Sequence, residues 1–183
     1  MSLAVSVLKC YIYHTSNLCR LTKTKDRDGF VKTLRQIEKI APFYKKPIGY
    51  VHKEFSIEQA NFEFNSCKNT ESDRVVYYLH GGSYISKLCA AHRLKTKPFS
   101  LAGDKANVLF VDYRTFPECT YPSATDEVML GWNWLIENGY KPENIIIAGE
   151  SAGGHLVINL LMRLRDAGMA LPKAAADQAA PWR

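Results

Sequence analysis

The sequence predicts a doubly wound α/β fold, and two observations lead to this prediction. Three short, continuous apolar runs are typical of parallel strands that are buried on both faces, and they lie at residues 75–79, 108–111 and 145–148. Segments of helical length follow these runs at residues 86–102, 123–138 and 152–167. Alternating strands and helices predict a mostly parallel sheet with helices on both faces.

The N-terminal part of the sequence has a different pattern of apolar and polar residues. Residues 50–64 alternate between apolar and polar and are followed by a polar cluster at 65–73, which predicts an antiparallel hairpin at a sheet edge. Residues 4–18 and 28–40 carry apolar side chains at helical spacing, which predicts two amphipathic helices. We expect Asp26 or Asp28 to cap the second helix. It should end before Pro42, because proline cannot continue a helix.

The composition and charge of the chain limit the classes of function that it can have. The chain has 183 residues, of which 46% are hydrophobic and 23% charged, as in an ordinary globular domain. The net charge of +6 is concentrated early, but the basic residues alternate with apolar ones and match no nucleic-acid motif, so no nucleic-acid partner is expected. Five cysteines without metal-ligand spacing predict reduced thiols, no metal site and a cytoplasmic location. The apolar opening at residues 3–8 is far shorter than a membrane span, and no cofactor motif is present.

The first chemical motif is Gly149-Glu150-Ser151-Ala152-Gly153, placed between a predicted strand and a predicted helix. In a nucleophile elbow, this spacing puts a serine on a sharp turn, and the flanking glycines avoid collisions with the neighbouring strand and helix. The N-terminus of the following helix then lies where negative charge develops during the reaction, and the helix dipole and free N–H groups favour that charge. We therefore predict that Ser151 is the catalytic nucleophile. The alternative is a glycine-rich turn in which Ser151 only caps the helix.

The second motif is His80-Gly81-Gly82-Ser83-Tyr84, directly after the first parallel strand. Its two glycines allow backbone N–H groups to point at a carbonyl oxygen as it becomes an oxyanion. Gly81, Gly82 and Ala152 are therefore the predicted oxyanion-hole donors, each worth on the order of 3 kcal/mol in the transition state. We expect His80 to orient this loop by hydrogen bonding rather than to act as the general base.

A third block, Asp112-Tyr113-Arg114 with Pro117-Glu118 and Tyr121-Pro122, lies between the two motifs. With these three blocks in order, residues 50–170 resemble the hormone-sensitive-lipase-like branch of the α/β-hydrolases. The resemblance implies an esterase of small acyl esters with the nucleophile and oxyanion donors named above. It also implies that the N-terminal helices form part of a cap. Two departures from the family pattern are Ser83, where a third glycine is usual, and Glu150, where aspartate is commoner.

The resemblance suggests two domain segments, a helical cap segment at residues 1–45 and an incomplete α/β-hydrolase core at 46–183. In this fold the triad acid and histidine follow the serine on loops after later strands. Downstream of Ser151 the chain offers Asp166, Asp177 and His155, and none fits that pattern. We therefore expect a chain truncated at its C-terminus. The alternatives to an active esterase are an inert fragment and a non-catalytic ligand-binding module, and either could form a homo-oligomer.

Other polar and aromatic residues have structural interpretations. We expect four charged side chains to form one salt-bridge network that fixes the third block: Asp112, Arg114, Glu118 and Asp126. Asp126 should also lie near a helix start, where negative charge is favourable. Trp132 and Trp134 fall within one predicted helix, and we expect core or helix-packing roles for them rather than stacking on a substrate.

Overall fold

The computed structural model describes residues 26–38 and 47–178. The predicted helix at residues 4–18 lies outside this range. The elements are α1 (Arg27–Glu38), β1 (Tyr50–Ile57), β2 (Ala60–Cys67), β3 (Val75–Leu79), α2 (Ala90–Arg93), α3 (Thr96–Ala102), β4 (Asn107–Asp112), α4 (Ser123–Glu137), a 3₁₀ turn (Pro142–Asn144), β5 (Ile145–Glu150), α5 (Ala152–Asp166) and β6 (Ala174–Gln178). None of the described helices combines the length and the apolar character that crossing a bilayer requires.

The six strands form one sheet in the order β1-β2-β4-β3-β5-β6. β4, β3, β5 and β6 run parallel, whereas β1 and β2 join as antiparallel strands. Alternate residues of the apolar strands enter two clusters of buried side chains. Tyr77 and Leu79 pack on the α4 and α5 side, and Val76 and Tyr78 pack with Leu88 on the other. The predicted doubly wound sheet with helices on both faces is confirmed.

The edge hairpin is confirmed, although its second strand is longer than predicted. β1 and β2 pair from Ile57 opposite Ala60 to Tyr50 opposite Cys67, so β2 continues beyond residue 64. The polar residue Asn65 is buried within β2, and its Oδ1 accepts a hydrogen bond from His52 Nδ1–H at 2.9 Å. In the sequence alone, a polar residue such as Asn65 predicts the start of a turn, because its pairing inside the sheet cannot be seen there.

The single helix predicted at residues 86–102 is wrong, because the structure contains two short helices there. Cys89, directly before α2, has an extended backbone, and the backbone N–H of Leu88 donates to Asp112 Oδ1 at 2.8 Å. α3 begins at Thr96, which places Pro98 in the first helical turn. Proline is tolerated in a first turn, where its missing N–H has no intrahelical acceptor, but it disrupts a helix interior.

Polar contacts hold helix α1 in two places, at its N-terminal end and through the side chain of Arg35. Asp26 is the N-terminal cap, because its Oδ1 accepts a hydrogen bond from the Gly29 N–H at 2.9 Å. One guanidinium nitrogen of Arg35 donates to the Phe116 carbonyl at 3.1 Å and lies 2.6 Å from Glu118 Oε2. α1 is therefore attached to the loop that follows β4.

Helix α4 supplies the largest fully buried side chain, Trp132, which is 1% exposed. Trp134, on the same helix, stacks on Phe55 of the hairpin with ring centroids 4.6 Å apart. Both tryptophans therefore pack in the core, as predicted. They connect α4 to the parallel strands and to the edge hairpin.

We predict that Trp132→Ala lowers the free energy of unfolding by about 3–5 kcal/mol, because it leaves a large cavity under α4. Ile136→Ala is the matched control, since Ile136 lies in the same helix and is 36% exposed. That change should stay within about 0.5 kcal/mol. Urea unfolding followed by circular dichroism measures both values, and equal losses would contradict the packing described.

Candidate active site

The two glycine motifs meet at the carboxyl ends of adjacent parallel strands. β3 and β5 are neighbours, and Leu79 pairs with Gly149 at their ends. The loops that follow therefore lie side by side, where functional sites of open α/β sheets collect. A Cβ added to Gly81 would lie 2.8 Å from the Glu150 carbonyl oxygen and 3.3 Å from Ser151 Cβ. The loop of residues 80–84 is thus in contact with the serine.

Ser151 occupies a strained backbone conformation, with φ 52° and ψ −119°, between β5 and α5. The turn is possible because its glycines lack side chains. A Cβ on Gly149 would lie 2.4 Å from the Gly153 carbonyl oxygen, and one on Gly153 would lie 2.0 Å from the Leu79 carbonyl oxygen. Ser151 is exposed, and its hydroxyl has no hydrogen-bond partner among the described residues.

The loop after β3 is anchored by a buried histidine. The His80 ring is fully buried, and its Nδ1–H donates to the Gly81 carbonyl at 2.7 Å. The Tyr113 hydroxyl donates to the His80 carbonyl at 2.8 Å, and the two rings stack with centroids 4.1 Å apart. Gly82 has φ +117°, which a residue with a side chain rarely adopts. The ring of His80 therefore packs behind the loop and does not reach the surface that carries Ser151.

A half-buried ion pair lies next to the serine. The Lys95 ammonium contacts the Glu150 carboxylate and also donates to the Tyr78 hydroxyl at 2.7 Å, while His92 Nε2 lies 3.5 Å from Glu150 Oε1. Burial raises the pKa of Glu150, but hydrogen bonds from Lys95 and Tyr78 outweigh it and hold this pKa below the ordinary 4.5. The residue before Ser151 is therefore a charged, anchored carboxylate. Sequence reasoning missed Lys95, which lies in a segment predicted to be one continuous helix.

A second polar contact joins the loop to α5. The Tyr84 hydroxyl lies 2.6 Å from His155 Nδ1 and 3.1 Å from the Ala152 carbonyl oxygen. Burial raises the pKa of Tyr84 to about 12, so this hydroxyl is neutral at pH 7. A mostly apolar cavity of about 310 Å³ opens beside the pair, and its walls include Phe116 and Tyr121. The cavity therefore lies beside the first turn of α5, which follows the serine motif.

The predicted single salt-bridge network is wrong. Each of the four charged residues has a different partner: Asp112 accepts from Leu88 N, Arg114 pairs with the buried Glu127, Glu118 with Arg35, and Asp126 with Arg163 at 2.7 Å. They are separated because they lie on a strand end, a loop and a helix that face different neighbours. The prediction that Asp126 lies in the first turn of a helix is confirmed.

Of the two acids downstream of the serine, Asp166 lies away from the two motifs and Asp177 lies beside the serine motif. Asp166 is inside α5 and pairs with its neighbour Arg165 at 2.7 Å. Asp177 lies on β6 opposite Gly149, and its carboxylate is packed against Gly154. The described residues contain no group of three or more side chains that could hold a metal ion.

A model of the alpha/beta hydrolase fold matches residues 76–178, which is more than half of the chain and includes both glycine motifs. The chain belongs to the α/β-hydrolase fold family. An acetyl-hydrolase of Streptomyces hygroscopicus is 40% identical over 114 residues, which are 61% of this chain and 37% of that protein. The resemblance to α/β-hydrolases stated from the sequence is therefore confirmed.

Solved α/β-hydrolase structures agree with the hormone-sensitive-lipase-like branch. A crystal structure of EstE5, soaked by p-nitrophenyl butyrate, has a TM-score of 0.71 at 28% identity and covers 80% of this chain. An esterase from the bacterial hormone-sensitive lipase family has a TM-score of 0.68 at 27% identity and covers 82%. The present chain spans 49% of each of these structures and about a third of the acetyl-hydrolase.

We predict that the protein loses stability as the pH falls from 6.5 towards 4. Burial lowers the pKa of His80 to about 3 and that of His92 to about 4, whereas the ordinary value is 6.5. Below pH 6.5 the unfolded chain binds protons that the folded state excludes, so each ring removes at most about 1.4 kcal/mol per pH unit.

Urea unfolding at pH 7, 6 and 5 measures this slope. His92→Gln should reduce it, because one of the two buried rings no longer takes up a proton on unfolding. A free energy of unfolding that is the same at pH 7 and pH 5 would contradict the prediction.

Proposed function

We propose that this chain carries the nucleophile and oxyanion hole of a carboxylic-ester hydrolase, with Ser151 as the nucleophile. The observation that carries the proposal is the strained turn at Ser151, with φ 52°, which leaves the serine exposed beside Gly81 of the loop after β3. A backbone outlier of this kind costs about 1–3 kcal/mol and persists where function uses it. A simple helix cap would need no such strain.

The backbone N–H groups of Gly81, Gly82 and Ala152 are the proposed oxyanion donors. Gly81 lies against the serine, and Ala152 begins α5, whose N-terminal dipole favours negative charge. His80 is the proposed orienting residue, because its ring bonds the Gly81 carbonyl from behind the loop. This arrangement would stabilise the negative charge that forms when a nucleophile adds to an ester carbonyl.

In the proposed reaction, the Ser151 hydroxyl oxygen bonds to the ester carbonyl carbon, and the alcohol leaves from the tetrahedral intermediate. Water then releases the acid from the acyl-serine. The hydroxyl proton needs a general base, but His155 is the single histidine after Ser151, and its Nδ1 is engaged with the Tyr84 hydroxyl. We therefore expect slow chemistry from these 183 residues, since loss of triad members costs up to about a millionfold in turnover.

The proposed substrates are small acyl esters. The cavity of about 310 Å³ beside Tyr84 and His155 suits a small apolar group, and the related acetyl-hydrolase and the EstE5 soak point to short acyl chains. Arg35 fixes α1 to a wall of this cavity, which supports a cap role for residues 1–45 over the core at 46–183. A cytoplasmic location remains a prediction from the sequence.

A non-catalytic ligand-binding module is the second candidate. It is favoured by one observation, namely that the Ser151 hydroxyl has no imidazole partner among the described residues. Such a module would keep the cavity and the oxyanion donors without turnover. The two candidates differ in whether the serine can be acylated or phosphonylated.

We predict that a fluorophosphonate probe labels the chain at Ser151 and that Ser151→Ala abolishes labelling. The strained turn exposes the hydroxyl, and the adjacent N–H groups stabilise the charged oxygen of the adduct. Intact-mass and peptide mass spectrometry report the labelled residue. Ser83→Ala is the matched control, because Ser83 is also exposed, with φ 56°, in the adjacent loop. That variant should label like the parent.

Equal labelling of the Ser151→Ala variant would refute the esterase proposal. A folded chain that binds p-nitrophenyl butyrate but never labels would favour the binding module instead. Release of p-nitrophenol, measured in parallel, tests turnover separately from the reactivity of the serine.

We also predict that Gly81→Ala slows labelling by on the order of 10² to 10³, the effect of removing one oxyanion donor. The new Cβ would lie 2.8 Å from the Glu150 carbonyl oxygen and would displace the loop from Ser151. Ser83→Ala again serves as the control within the loop. Circular dichroism must show an intact fold, and an unchanged labelling rate in a folded variant would exclude Gly81 from the oxyanion hole.

A further inference from the structure

The carboxylate of Glu150 brings together three segments of the chain. The Lys95 ammonium, from the turn between α2 and α3, contacts this carboxylate. The Tyr78 hydroxyl accepts a hydrogen bond from Lys95 at 2.7 Å and donates one to Glu150. Because Tyr78 is buried within β3, its hydroxyl holds both charged groups at a fixed place beside the sheet.

Glu150 also forms the surface on which the loop after β3 rests. A Cβ added to Gly81 would lie 3.1 Å from Glu150 Cγ and 2.8 Å from the Glu150 carbonyl oxygen. Gly81 therefore packs on both the side-chain stem and the backbone of Glu150, and Ser151 is the next residue. A change in the Glu150 rotamer would move this surface. The gap between Gly81 and Ser151 thus depends on where the Glu150 carboxylate is held.

The charge of Glu150 needs a partner, because it lies beside the place where the proposed oxyanion forms. Burial lowers the pKa of His92 to about 4, so this ring is neutral at pH 7, although its Nε2 lies 3.5 Å from Glu150 Oε1. Arg93 is bound by Glu63 at 2.5 Å. Within the described part of the chain, the positive charge that faces Glu150 is therefore that of Lys95. An unpaired carboxylate in this half-buried place would repel a developing oxyanion.

The turn between α2 and α3 fixes the direction of Lys95. Its backbone N–H donates to the His92 carbonyl at 3.0 Å, and the buried Thr96 hydroxyl donates to the Arg93 carbonyl at 2.8 Å. Lys97, two positions later, is exposed, whereas the Lys95 side chain is half-buried. The chain therefore offers a second lysine in the same short segment as a matched control.

We propose that Lys95 is a positioning residue for the Ser151 site. Its ammonium holds the Glu150 carboxylate, and it thereby sets the gap between Gly81 and Ser151 and compensates the negative charge beside the oxyanion. Lys95 acts through Glu150 and does not touch the substrate. This role rests on the proposed function, since it affects chemistry only if Ser151 is the nucleophile.

Labelling of Ser151 at several fluorophosphonate concentrations separates probe binding from chemistry. We expect Lys95→Met to lower the limiting rate constant at saturating probe by about 10- to 100-fold, as small misplacements of reacting groups do. The probe concentration that gives half of this rate should stay unchanged. Lys95→Arg keeps the charge and should recover most of the lost rate, and Lys97→Met should label like the parent.

A double-mutant cycle tests whether Lys95 acts through Glu150. Glu150→Gln keeps the stem that packs against Gly81 and removes the charge. In the Glu150→Gln background, Lys95→Met should change the limiting rate by less than about twofold, because no carboxylate remains to be held or compensated. An equal loss in both backgrounds would overturn the proposal. Parental rates in Lys95→Met, or no recovery in Lys95→Arg, would overturn it as well.

Hydrogen exchange tests the positioning without the chemistry of Ser151. Peptide-level mass spectrometry should show faster exchange of residues 80–86 in Lys95→Met than in the parent or in Lys97→Met, with β4 peptides unchanged. If the parent is never labelled at Ser151, the esterase proposal fails, but faster exchange of this loop would still support the role of Lys95. Unchanged exchange would overturn that role.

Circular dichroism checks that each variant is folded. If Lys95→Met does not fold, Lys95→Gln replaces it in every measurement, because its amide can still donate to the Tyr78 hydroxyl while the positive charge is absent. The same losses are then expected, and parental labelling and exchange in a folded Lys95→Gln variant would overturn the proposal.

Discussion

The site depends on how closely the first turn of α5 approaches the end of β3. The Cα of Gly153 lies so near the Leu79 carbonyl oxygen that an added Cβ would come within 2.0 Å of it. Gly149 also approaches the helix closely, since an added Cβ would lie 2.4 Å from the Gly153 carbonyl oxygen, and the two contacts leave the chain no room for a gradual turn. Ser151 therefore adopts its strained conformation and projects from the sheet, and the loop after β3 is held beside it.

Two polar arrangements support the site from opposite sides. On one side, the stacked His80 and Tyr113 rings are fully buried, and the pair of Glu150 with Lys95 is half-buried. On the other side, the Tyr84 hydroxyl joins the loop to the α5 backbone. The buried imidazoles of His80 and His92 stay neutral at physiological pH, and among the described residues the Glu150–Lys95 pair carries charge next to the serine. Such polar supports fix orientation more than they add stability.

Much of the fold was predictable because the signals were local. Continuous apolar runs predicted β3, β4 and β5, and helical spacing predicted the first and last residues of α4 and α5 almost to the residue. The failures involved contacts between distant residues. Asp112 accepts a hydrogen bond from the backbone N–H of Leu88, which lies outside any helix, and no pattern in residues 86–102 predicts this contact. The partners Lys95 and Tyr84 were likewise hidden, since their roles arise only when the sheet brings separate segments together.

The attachment of α1 links the shape of the cavity to the N-terminal helix. Arg35 donates to the Phe116 carbonyl, and Phe116 forms part of the cavity wall. Two segments about eighty positions apart in the sequence therefore form this side of the cavity together. We expect mutations in α1 to change the cavity while the serine turn and its glycines stay unchanged.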